Sequence, residues 1–322
     1  MDLKLAILDI EKNKIKEFLL KYELSFDEDI DWTVYLEEDS LIIGTISTSK
    51  NIIKAFAVSE NYKGQIASLL ISETINHIFQ TGFDFYQVYT KPEYINMFEN
   101  LSFYEIISSS KVALLESRNR NIVNTLKGIY EKENLKSNNT GCIVMNCNPF
   151  TLGHRYIIEK AAKNHDLLIV FILEEDRSFF KFKDRFEMVV RGVSDLENVK
   201  VIPSSNYLIS ALTFPTYFLK KEDSKIYEQA LLDAMIFEKY FIPIFNLKKR
   251  YLGSEEDIVT RKYNEVLKNK LGEFIEIIPR LKYDDKFISA SIVRRALDAK
   301  KFEEISHYVP KTTYDYLVKH YG

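Results

Sequence analysis

The chain has 322 residues, 46% of them hydrophobic, with 10 glycines, 7 prolines and a formal net charge of −3. These values predict a globular protein with a sizeable core, few long loops and enough length for two domains. The small negative charge gives no support for a nucleic-acid partner or an anionic membrane surface, and no apolar run approaches the roughly 20 residues that would span a bilayer.

The termini and the thiols indicate where the protein resides. The N-terminal segment MDLKLAILDIEKNK is acidic early and lacks a signal-peptide core and a cleavage site. The two cysteines, Cys142 and Cys147, lie five positions apart around one predicted strand. This odd offset places them on opposite faces, so we expect no bridge between them. The prediction is a soluble, cytoplasmic protein with reduced thiols.

The first 120 residues predict a sheet with helices. In chain order we expect a strand over 4–8, a helix over 12–22, a hairpin over 32–37 and 41–48, a strand over 52–59, a helix over 63–80, a strand over 85–89, a helix opened by Pro92, and strands over 103–107 and 111–115. A helix over 121–133 and a polar stretch over 136–140 then form a predicted linker. The predicted domains are therefore 1–135 and 136–322.

This order of elements resembles the Gcn5-related N-acetyltransferase (GNAT) fold, with AFAVSENYKGQIASLL at its centre and NMFENLSFYEI near its end. In that family a (Q/R)xxGx(G/A) loop holds the acyl-CoA pyrophosphate on helix N–H groups. The loop over 63–68 reads KGQIAS and keeps only the first glycine, and Ile66 is expected to obstruct a pyrophosphate. An acetyltransferase site is one interpretation. A fold kept for docking, or for holding a CoA-like group weakly, is the favoured one, so we expect a GNAT-like α+β domain without catalysis.

Residues 141–322 alternate between apolar strands and amphipathic helices, which predicts a Rossmann-like α/β domain with a mostly parallel sheet. The predicted strands cover 142–145, 167–173, 199–203, 249–252 and 275–279. Ligands of such sheets bind beyond the carboxyl ends of the strands. Candidate site residues are therefore expected directly after these strands.

The stretch over 141–163 combines a buried strand, a tight loop and a helix. Such a helix N-terminus aims free N–H groups and a partial positive charge at an anion. Thr151 offers a hydroxyl, Gly153 allows close approach, and His154 can donate from a ring nitrogen. This combination favours a phosphate site. The alternative is that Thr151 is only an N-cap and His154 packs on the helix.

The segment over 148–154, NPFTLGH, resembles the (H/T)xGH signature of the nucleotidylyltransferase superfamily. Members of that superfamily usually carry Asp where Asn148 stands. The resemblance implies catalytic roles for His154 and Thr151. It also implies nucleotide contacts from Asn148, Pro149, Phe150 and Gly153.

A cluster of cations follows the second of these strands, in the segment DRSFFKFKDRFEMV: Arg177, Lys181, Lys183 and Arg185. They are candidates for binding a substrate phosphate or carboxylate, and a solvated face is the alternative. The superfamily has basic residues where Arg177 and Arg185 stand, so the resemblance favours these two.

Two later segments also follow the strand pattern. Gly253 ends a predicted strand and permits close approach of a base or ribose, to which Ser254 and Glu255 can hydrogen-bond. In ISASIVR, Ser289 and Ser291 can offer hydroxyl and N–H groups to one phosphate. Arg294, one turn on, adds a fork of donors. Ser289 as a plain N-cap is the alternative. The segment matches the ISxSxxR element of the superfamily, which closes over the β- and γ-phosphates, and the resemblance implies a catalytic role for Arg294.

Within that superfamily the chain resembles the citrate lyase ligase family over nearly its whole length. The resemblance is carried by NPFTLGHRYIIEKA, EEDRSFFKFKDR, ISALTFPTYFLK, RYLGSE, VTRKYN and ISASIVR. It implies an AMP-forming ligase that activates acetate with ATP and Mg²⁺ through acetyl-adenylate. The acceptor is the thiol of the prosthetic group on citrate lyase acyl carrier protein. No protein ligand for a metal is expected. One departure is Glu255-Glu256-Asp257, where the family usually has Glu-Pro-Phe-Cys.

Two other functions stay open. One is a nucleotidylyltransferase that leaves the nucleotide on a phosphopantetheine-like product. The other is a non-catalytic module that binds a carrier protein and has a vestigial phosphate site. The ligase prediction requires that the TLGH and ISASIVR segments meet at the open end of one sheet.

Overall fold

The computed structural model describes residues 3–62, 64–176, 178–209, 214, 217–219 and 222–322. The chain divides into two compact units by its internal contacts. The first unit comprises Met1–Asn121 and Phe214–Glu228, and the second comprises Ile122–Thr213 and Gln229–Gly322.

This division differs from the predicted boundary at 135/136. The helix α4 (Ile122–Lys132) belongs to the second unit, where Tyr130 contacts the ring of Phe245 at 6.1 Å between centroids. The segment over 214–228 belongs to the first unit, where the backbone N–H of Ser25 donates to the carbonyl of Tyr217 at 2.7 Å. The spacing of apolar residues predicts that one face of a helix is buried, but it does not predict which other part of the chain covers that face.

The first unit is a seven-stranded sheet with helices. Its strands are β1 (Leu3–Leu5), β2 (Trp32–Glu38), β3 (Leu41–Ser49), β4 (Ile52–Val58), β5 (Gln87–Thr90), β6 (Phe103–Ser108) and β7 (Ala113–Ser117), and its helices are α1 (Asp9–Leu20), α2 (Gln65–Gln80) and α3 (Ile95–Asn100). The strand order is β1-β2-β3-β4-β5-β7-β6. All neighbours are antiparallel except β4 and β5.

Helix α2 packs directly on β3. A Cβ at Gly44 would lie 3.0 Å from Ile66 Cγ2 and 3.1 Å from Leu70 Cδ1, so the helix approaches the strand more closely than a larger residue would allow. Ile66 is only 5% exposed and faces this core. It therefore does not stand over the helix N-terminus, and the expected obstruction of an anion by Ile66 is not found.

A cavity of about 400 Å³ lies in the first unit. The parallel pairing of β4 with β5 is limited to two residue pairs, and both strands line the cavity through Phe56, Val58 and Val88. Its other walls include Ala67 in the first turn of α2 and Phe218 from the segment over 214–228.

The second unit contains a parallel sheet. Its strands are β8 (Thr140–Met145), β9 (Leu167–Ile172), β10 (Val199–Pro203), β11 (Leu247–Gly253) and β12 (Ile275–Ile278), followed by a two-stranded hairpin of β13 (Lys282–Tyr283) and β14 (Lys286–Phe287). Its further helices are α5 (Leu152–Ala162), α6 (Phe182–Gly192), α7 (Glu222–Ile236, which begins in the segment assigned to the first unit), α8 (Ile242–Ile244), α9 (Ile258–Leu271), α10 (Ala290–Asp298), α11 (Phe302–Ile305) and α12 (Lys311–Tyr321). A π-helical turn over Phe237–Phe241 joins α7 to α8.

Strand β8 is the centre of this sheet. The order is β10-β9-β8-β11-β12, and every neighbouring pair is parallel. Chain connections run outward from β8 in one direction to β9 and β10 and in the other to β11 and β12. The crevice of such a sheet therefore opens beyond the carboxyl ends of β8 and β11. The predicted architecture is confirmed: an α+β unit with a largely antiparallel sheet, and a Rossmann-like unit with a parallel sheet.

The two cysteines form no disulfide bond, as expected. Cys142 and Cys147 are both buried and free. Among the described residues, no helix is long and apolar enough to cross a membrane.

Candidate active site

Helix α5 begins with Thr151 as its N-cap, directly after the loop that leaves β8. The backbone N–H of Thr151 donates to Nδ1 of His154 at 3.0 Å, and the backbone N–H of His154 donates to Thr151 Oγ1 at 3.3 Å. Because a backbone N–H can only donate, Nδ1 is the acceptor and the proton of the neutral ring lies on Nε2. The N-cap interpretation of Thr151 is thus confirmed, and the same cap orients His154 as a donor.

The environment of His154 keeps its ring neutral. Burial, together with the positive charge of Arg280, lowers the pKa of His154 to about 4. Its ring lies nearly parallel to that of Phe150, with 6.0 Å between centroids. At neutral pH the site therefore holds a fixed, uncharged N–H donor at a helix N-terminus.

The loop before α5 is held by a residue from far along the chain. Nη1 of Arg294 on α10 donates to the carbonyl of Asn148. The side-chain Oδ1 of Asn148 accepts from the backbone N–H of Phe180 at 3.0 Å. Desolvation lowers the pKa of Arg294, which is consistent with a guanidinium pressed between two segments. The TLGH and ISASIVR segments therefore meet, as the ligase prediction requires.

The first turns of α5 and α10 also touch each other. A Cβ built on Gly153 would lie 3.5 Å from the carbonyl oxygen of Ile288, which precedes α10. Ser289 is the N-cap of α10, and its Oγ accepts from the N–H of Ile292 at 3.4 Å. The hydroxyls of Ser289 and Ser291 lie 2.9 Å apart. Two helix N-termini thus lie together. The N-cap interpretation of Ser289 is confirmed, and its phosphate role stays a prediction.

The ends of β11 and β12 contribute a third group. A Cβ on Gly253 would meet only Cδ1 of Ile157, at 2.8 Å. Ser254 donates its N–H to the carbonyl of Ile278 at 2.9 Å. Its Oγ accepts from the backbone N–H of Arg280 at 3.0 Å. The carboxylate Oε2 of Glu255 lies 3.1 Å from Nη1 of Arg280. Burial raises the pKa of Glu255, whereas Arg280 lowers it.

Three predicted ligands lie in the core. Pro149 is buried, and Phe150 is fully buried, packed where a Cβ on Gly192 of α6 would stand. Arg185 is fully buried, and its guanidinium donates to the carbonyls of Phe180, Asn146, Leu173 and Glu175. A side chain whose donors are used in this way orders the loops after β8 and β9. It does not present itself to a substrate.

Arg177 lies outside the described residues. The neighbouring cations Lys181 and Lys183 are exposed, and Lys181 Nζ donates to the carbonyl of Asp176 at 3.1 Å.

Two residues of the site were missed by sequence reasoning. Arg280 follows β12 by two positions. Candidate residues were expected directly after each parallel strand, which located Ser254 and Glu255 after β11, and the same expectation applies to Arg280. Asn146 follows β8 directly and donates from Nδ2 to Ser178 Oγ at 3.0 Å. Its Oδ1 is buried and has no hydrogen-bond partner among the described residues. A polar residue at the end of a central strand was the available signal.

The arrangement suits a large anion. The N-termini of α5 and α10 lie together, and His154, Arg294 and Arg280 add side-chain donors or positive charge. Across the described part of the chain, no group of three or more His, Cys, Asp or Glu residues is placed to hold a metal ion.

Comparison with known proteins gives concordant matches. The sequence profile of the family described as "Citrate lyase ligase C-terminal domain" matches residues 140–317. The chain is 34% identical to "[Citrate [pro-3S]-lyase] ligase" from Haemophilus influenzae over 95% of this chain and 94% of that protein. It is 33% identical to the protein of the same name from Escherichia coli, over 94% of this chain and 89% of that protein.

A different relative matches about half of the chain. The chain is 31% identical to a phosphopantetheine adenylyltransferase from Campylobacter hominis over 55% of this chain and 96% of that protein.

Proposed function

This chain belongs to the citrate lyase ligase family, and from that premise we propose that it is an AMP-forming acid–thiol ligase. It activates acetate with ATP and transfers the acetyl group to the thiol of the prosthetic group on citrate lyase acyl carrier protein. The observation that carries this proposal is the contact between the two phosphate-type segments, made by Arg294 and the loop at Asn148.

In the first step a carboxylate oxygen of acetate attacks the α-phosphorus of ATP. The bond from the α-phosphorus to the bridging oxygen breaks, and pyrophosphate leaves with its electron pair. Acetyl-adenylate is the other product. A carboxylate is already a nucleophile, so the protein's task is positioning and charge stabilisation.

His154 is proposed to donate its Nε2–H to an oxygen of the α- or β-phosphate as negative charge builds there. Two features support this role: the Thr151 N–H holds Nδ1 as an acceptor, and the lowered pKa keeps the ring neutral. Gly153 allows the phosphate to approach the start of α5. Ser289, Ser291 and Arg294 hold the leaving pyrophosphate.

In the second step the carrier thiolate attacks the acyl carbon, and the bond between that carbon and the phosphate oxygen breaks. AMP leaves with the electron pair, and the thiol proton passes to solvent. Both cysteines of the chain are buried, and burial raises the pKa of Cys142 to about 12. We therefore assign no thiol of this chain to the acyl transfer.

The remaining predicted ligands receive more specific roles. Gly253, Ser254 and Glu255 are proposed to border the adenosine side of the crevice. Arg177 is proposed to meet the acceptor or its phosphate. Arg185, Pro149 and Phe150 are proposed to shape the site from within the core, because they are buried.

Mg²⁺ would arrive on the triphosphate and neutralise part of its charge. The donor set of the site is rich in N–H groups and hydroxyls, which fits phosphate oxygens better than a dedicated metal cage.

The first unit is proposed not to catalyse the reaction, because the segments with phosphate chemistry lie in the second. We further propose that the protein acts in the cytoplasm.

A nucleotidylyltransferase reaction is the second candidate, favoured by the similarity to a phosphopantetheine adenylyltransferase over 55% of the chain. The two reactions differ in their products. The ligase releases AMP and forms a thioester, whereas the transferase leaves a stable adenylylated product.

The deciding experiment is ATP–pyrophosphate exchange in the full-length protein with acetate, formate, propionate and no acid. We expect exchange that requires a short carboxylate, and AMP plus thioester when carrier protein is added. Exchange that instead requires a pantetheine phosphate would favour the transferase. No exchange under any of these conditions would leave the non-catalytic carrier-binding module.

A further inference from the structure

We propose that the guanidinium of Arg280 is the binding subsite for the carboxylate of the short acid substrate. The inference rests on the proposed function, because only a reaction that activates a free acid needs such a subsite. In the structure this guanidinium already forms an ion pair with the carboxylate of Glu255.

Arg280 is anchored on two sides that do not depend on Glu255. Its backbone N–H donates to Ser254 Oγ at 3.0 Å, and its Nη2 donates to the carbonyl of Ile288 at 3.0 Å. The third contact, from Nη1 to Glu255 Oε2 at 3.1 Å, is the only one of these that involves a side chain able to swing into solvent. If Glu255 moves away, the bond from Nη2 to Ile288 still holds the guanidinium, and Nη1 becomes free for an incoming carboxylate.

The pair is positioned for exchange. The side chain of Glu255 is 31% exposed and that of Arg280 is 18% exposed, so solvent reaches both. Burial raises the pKa of Glu255 in opposition to Arg280, and the nearby charges of Asp257 and Glu256 also raise it. The charged form of Glu255 is therefore not strongly favoured where it lies, and a substrate carboxylate can replace it.

Arg280 also lies beside the reacting groups. The carbonyl of Ile288, which accepts from Nη2, is the same group that lies against Gly153 at the start of α5. The charge of Arg280 acts on His154. An acid bound at Nη1 would thus lie next to the helix N-terminus that receives the α-phosphate.

The chemistry of the reaction requires a cation there. Acetate and the triphosphate both carry negative charge and repel each other at the separation from which attack begins. A guanidinium offsets this repulsion and orients the carboxylate through directed hydrogen bonds. His154 cannot supply this charge at neutral pH, because its pKa is about 4.

The test measures acetate and ATP separately in the exchange reaction of the full-length protein. Replacing Arg280 by Gln removes one charged donor, so we expect the KM for acetate to rise about tenfold or more while the KM for ATP changes by less than about twofold. In Glu255→Gln the competing carboxylate is gone, so the KM for acetate should fall. Arg261→Gln, an exposed arginine on α9, is the matched control for loss of one positive charge and should leave both constants unchanged.

A second readout separates this inference from the reaction itself. Acetate should raise the thermal midpoint of the wild-type protein more than equimolar chloride does, without ATP, and Arg280→Gln should abolish the difference. If acetate stabilises only the wild type but no exchange occurs, the subsite stands and the ligase reaction falls.

Other results overturn the subsite while leaving the reaction intact. One is an unchanged KM for acetate in Arg280→Gln. Another is an equal rise in both constants, which would mean that Arg280 binds the triphosphate or only fastens Ile288. If Arg280→Gln fails to fold, Arg280→Lys is the second variant. It keeps the positive charge but lacks the two-pronged guanidinium donors, so it should still raise the KM for acetate selectively. Absence of any acetate effect on wild-type stability, together with an unchanged KM in Arg280→Lys, would also overturn the subsite.

Discussion

At the residue scale, the state of His154 follows from one hydrogen bond. The Thr151 N–H occupies Nδ1 at 3.0 Å, so Nε2 carries the proton and is the donor of the ring. The residue that caps α5 therefore also selects the tautomer that we propose for phosphate chemistry. Structure and proposed catalysis share the same contact.

Replacing His154 by Ala should remove one donor that strengthens in the transition state. We expect kcat for acetate-dependent exchange to fall by about 10²–10³, equivalent to about 3–4 kcal/mol, with little change in the KM for ATP. Steady-state kinetics at saturating acetate measure this effect. His154→Gln, which retains an N–H donor, is the comparison and should lose less. Turnover close to the wild-type value in His154→Ala would refute the assignment.

The pH dependence of His154 has a definite sign. Its pKa falls from 6.5 in the unfolded chain to about 4 in the folded protein. Between these values the unfolded chain binds more protons, so the free energy of unfolding decreases as the pH is lowered through this window. The contribution is complete above pH 6.5. Long-range ¹H–¹⁵N NMR should show the Nε2–H tautomer at pH 7 and no titration near 6.5; a midpoint at 6–7 would contradict this.

Gly153 offers a test that separates binding from packing. A Cβ there would make only ordinary contacts, at 3.5 Å or more, with Ile288 and Thr151. Gly153→Ala should therefore preserve stability or raise it by about 0.5–1 kcal/mol, since Ala favours a helix. The methyl group would nevertheless stand where a phosphate approaches, so the KM for ATP should rise. Thermal unfolding and exchange kinetics on one preparation measure both effects. Lost stability with an unchanged KM would show that Gly153 serves packing alone.

At the element scale, α10 joins the two phosphate segments. Its N-terminus lies against α5 through Ile288, and Arg294, one turn in, holds the carbonyl of Asn148. A nine-residue helix thus carries both the proposed anion donors and the contact that locates them. Displacing α10 would disturb the loop before α5 as well as the proposed pyrophosphate side of the site.

Two serines of α10 should respond differently to the same substitution. Ser289 is the N-cap, whereas Ser291 is exposed in the first turn. Ser289→Ala should lower the free energy of unfolding by about 1 kcal/mol, and Ser291→Ala should leave it nearly unchanged. Both should weaken ATP binding, because each removes a hydroxyl. Urea unfolding and ATP titration are the measurements. Equal stability losses would contradict the assigned cap, and unaltered ATP binding in both would contradict the phosphate role.

At the scale of the whole molecule, the two units are not consecutive halves of the chain. Helix α4 belongs with the second unit and the segment over 214–228 with the first. Each assignment buries apolar residues: Ile122 and Leu126 of α4 are 1% and 0% exposed, and Tyr217 and Phe218 are 7% and 8% exposed.

Truncation tests this organisation. A fragment over 136–322 lacks α4, so we expect it to be less stable than a fragment over 122–322, because the face of the second unit that contacts Tyr130 becomes exposed. Both fragments should bind a hydrophobic dye more strongly than the full chain, since Tyr217 and Phe218 lose their partners. Replacing these two residues by Ser in the longer fragment should reduce dye binding. Equal stability of the two fragments would argue against assigning α4 to the second unit.

The sequence by itself determined what depends on neighbours along the chain. Apolar strands, amphipathic helices and the turn at Thr151 are encoded locally, because period and capping act within a few residues. The βα order then implied the parallel sheet and the edge where the site lies. The family resemblance predicted that TLGH and ISASIVR lie together, and the approach of Gly153 to the carbonyl of Ile288 confirms it.

Only the tertiary structure decided which side chains face that edge. Arg185 matched the pattern of a ligand yet is buried, with its donors satisfied by carbonyls, whereas Arg280 reaches Glu255 and Ile288. It also decided the partners of α4 and of the segment over 214–228. The physical reason is the same in each case. The sequence pattern indicates which surfaces must be buried and which charges must be paired. The partner of each depends on contacts between distant parts of the chain.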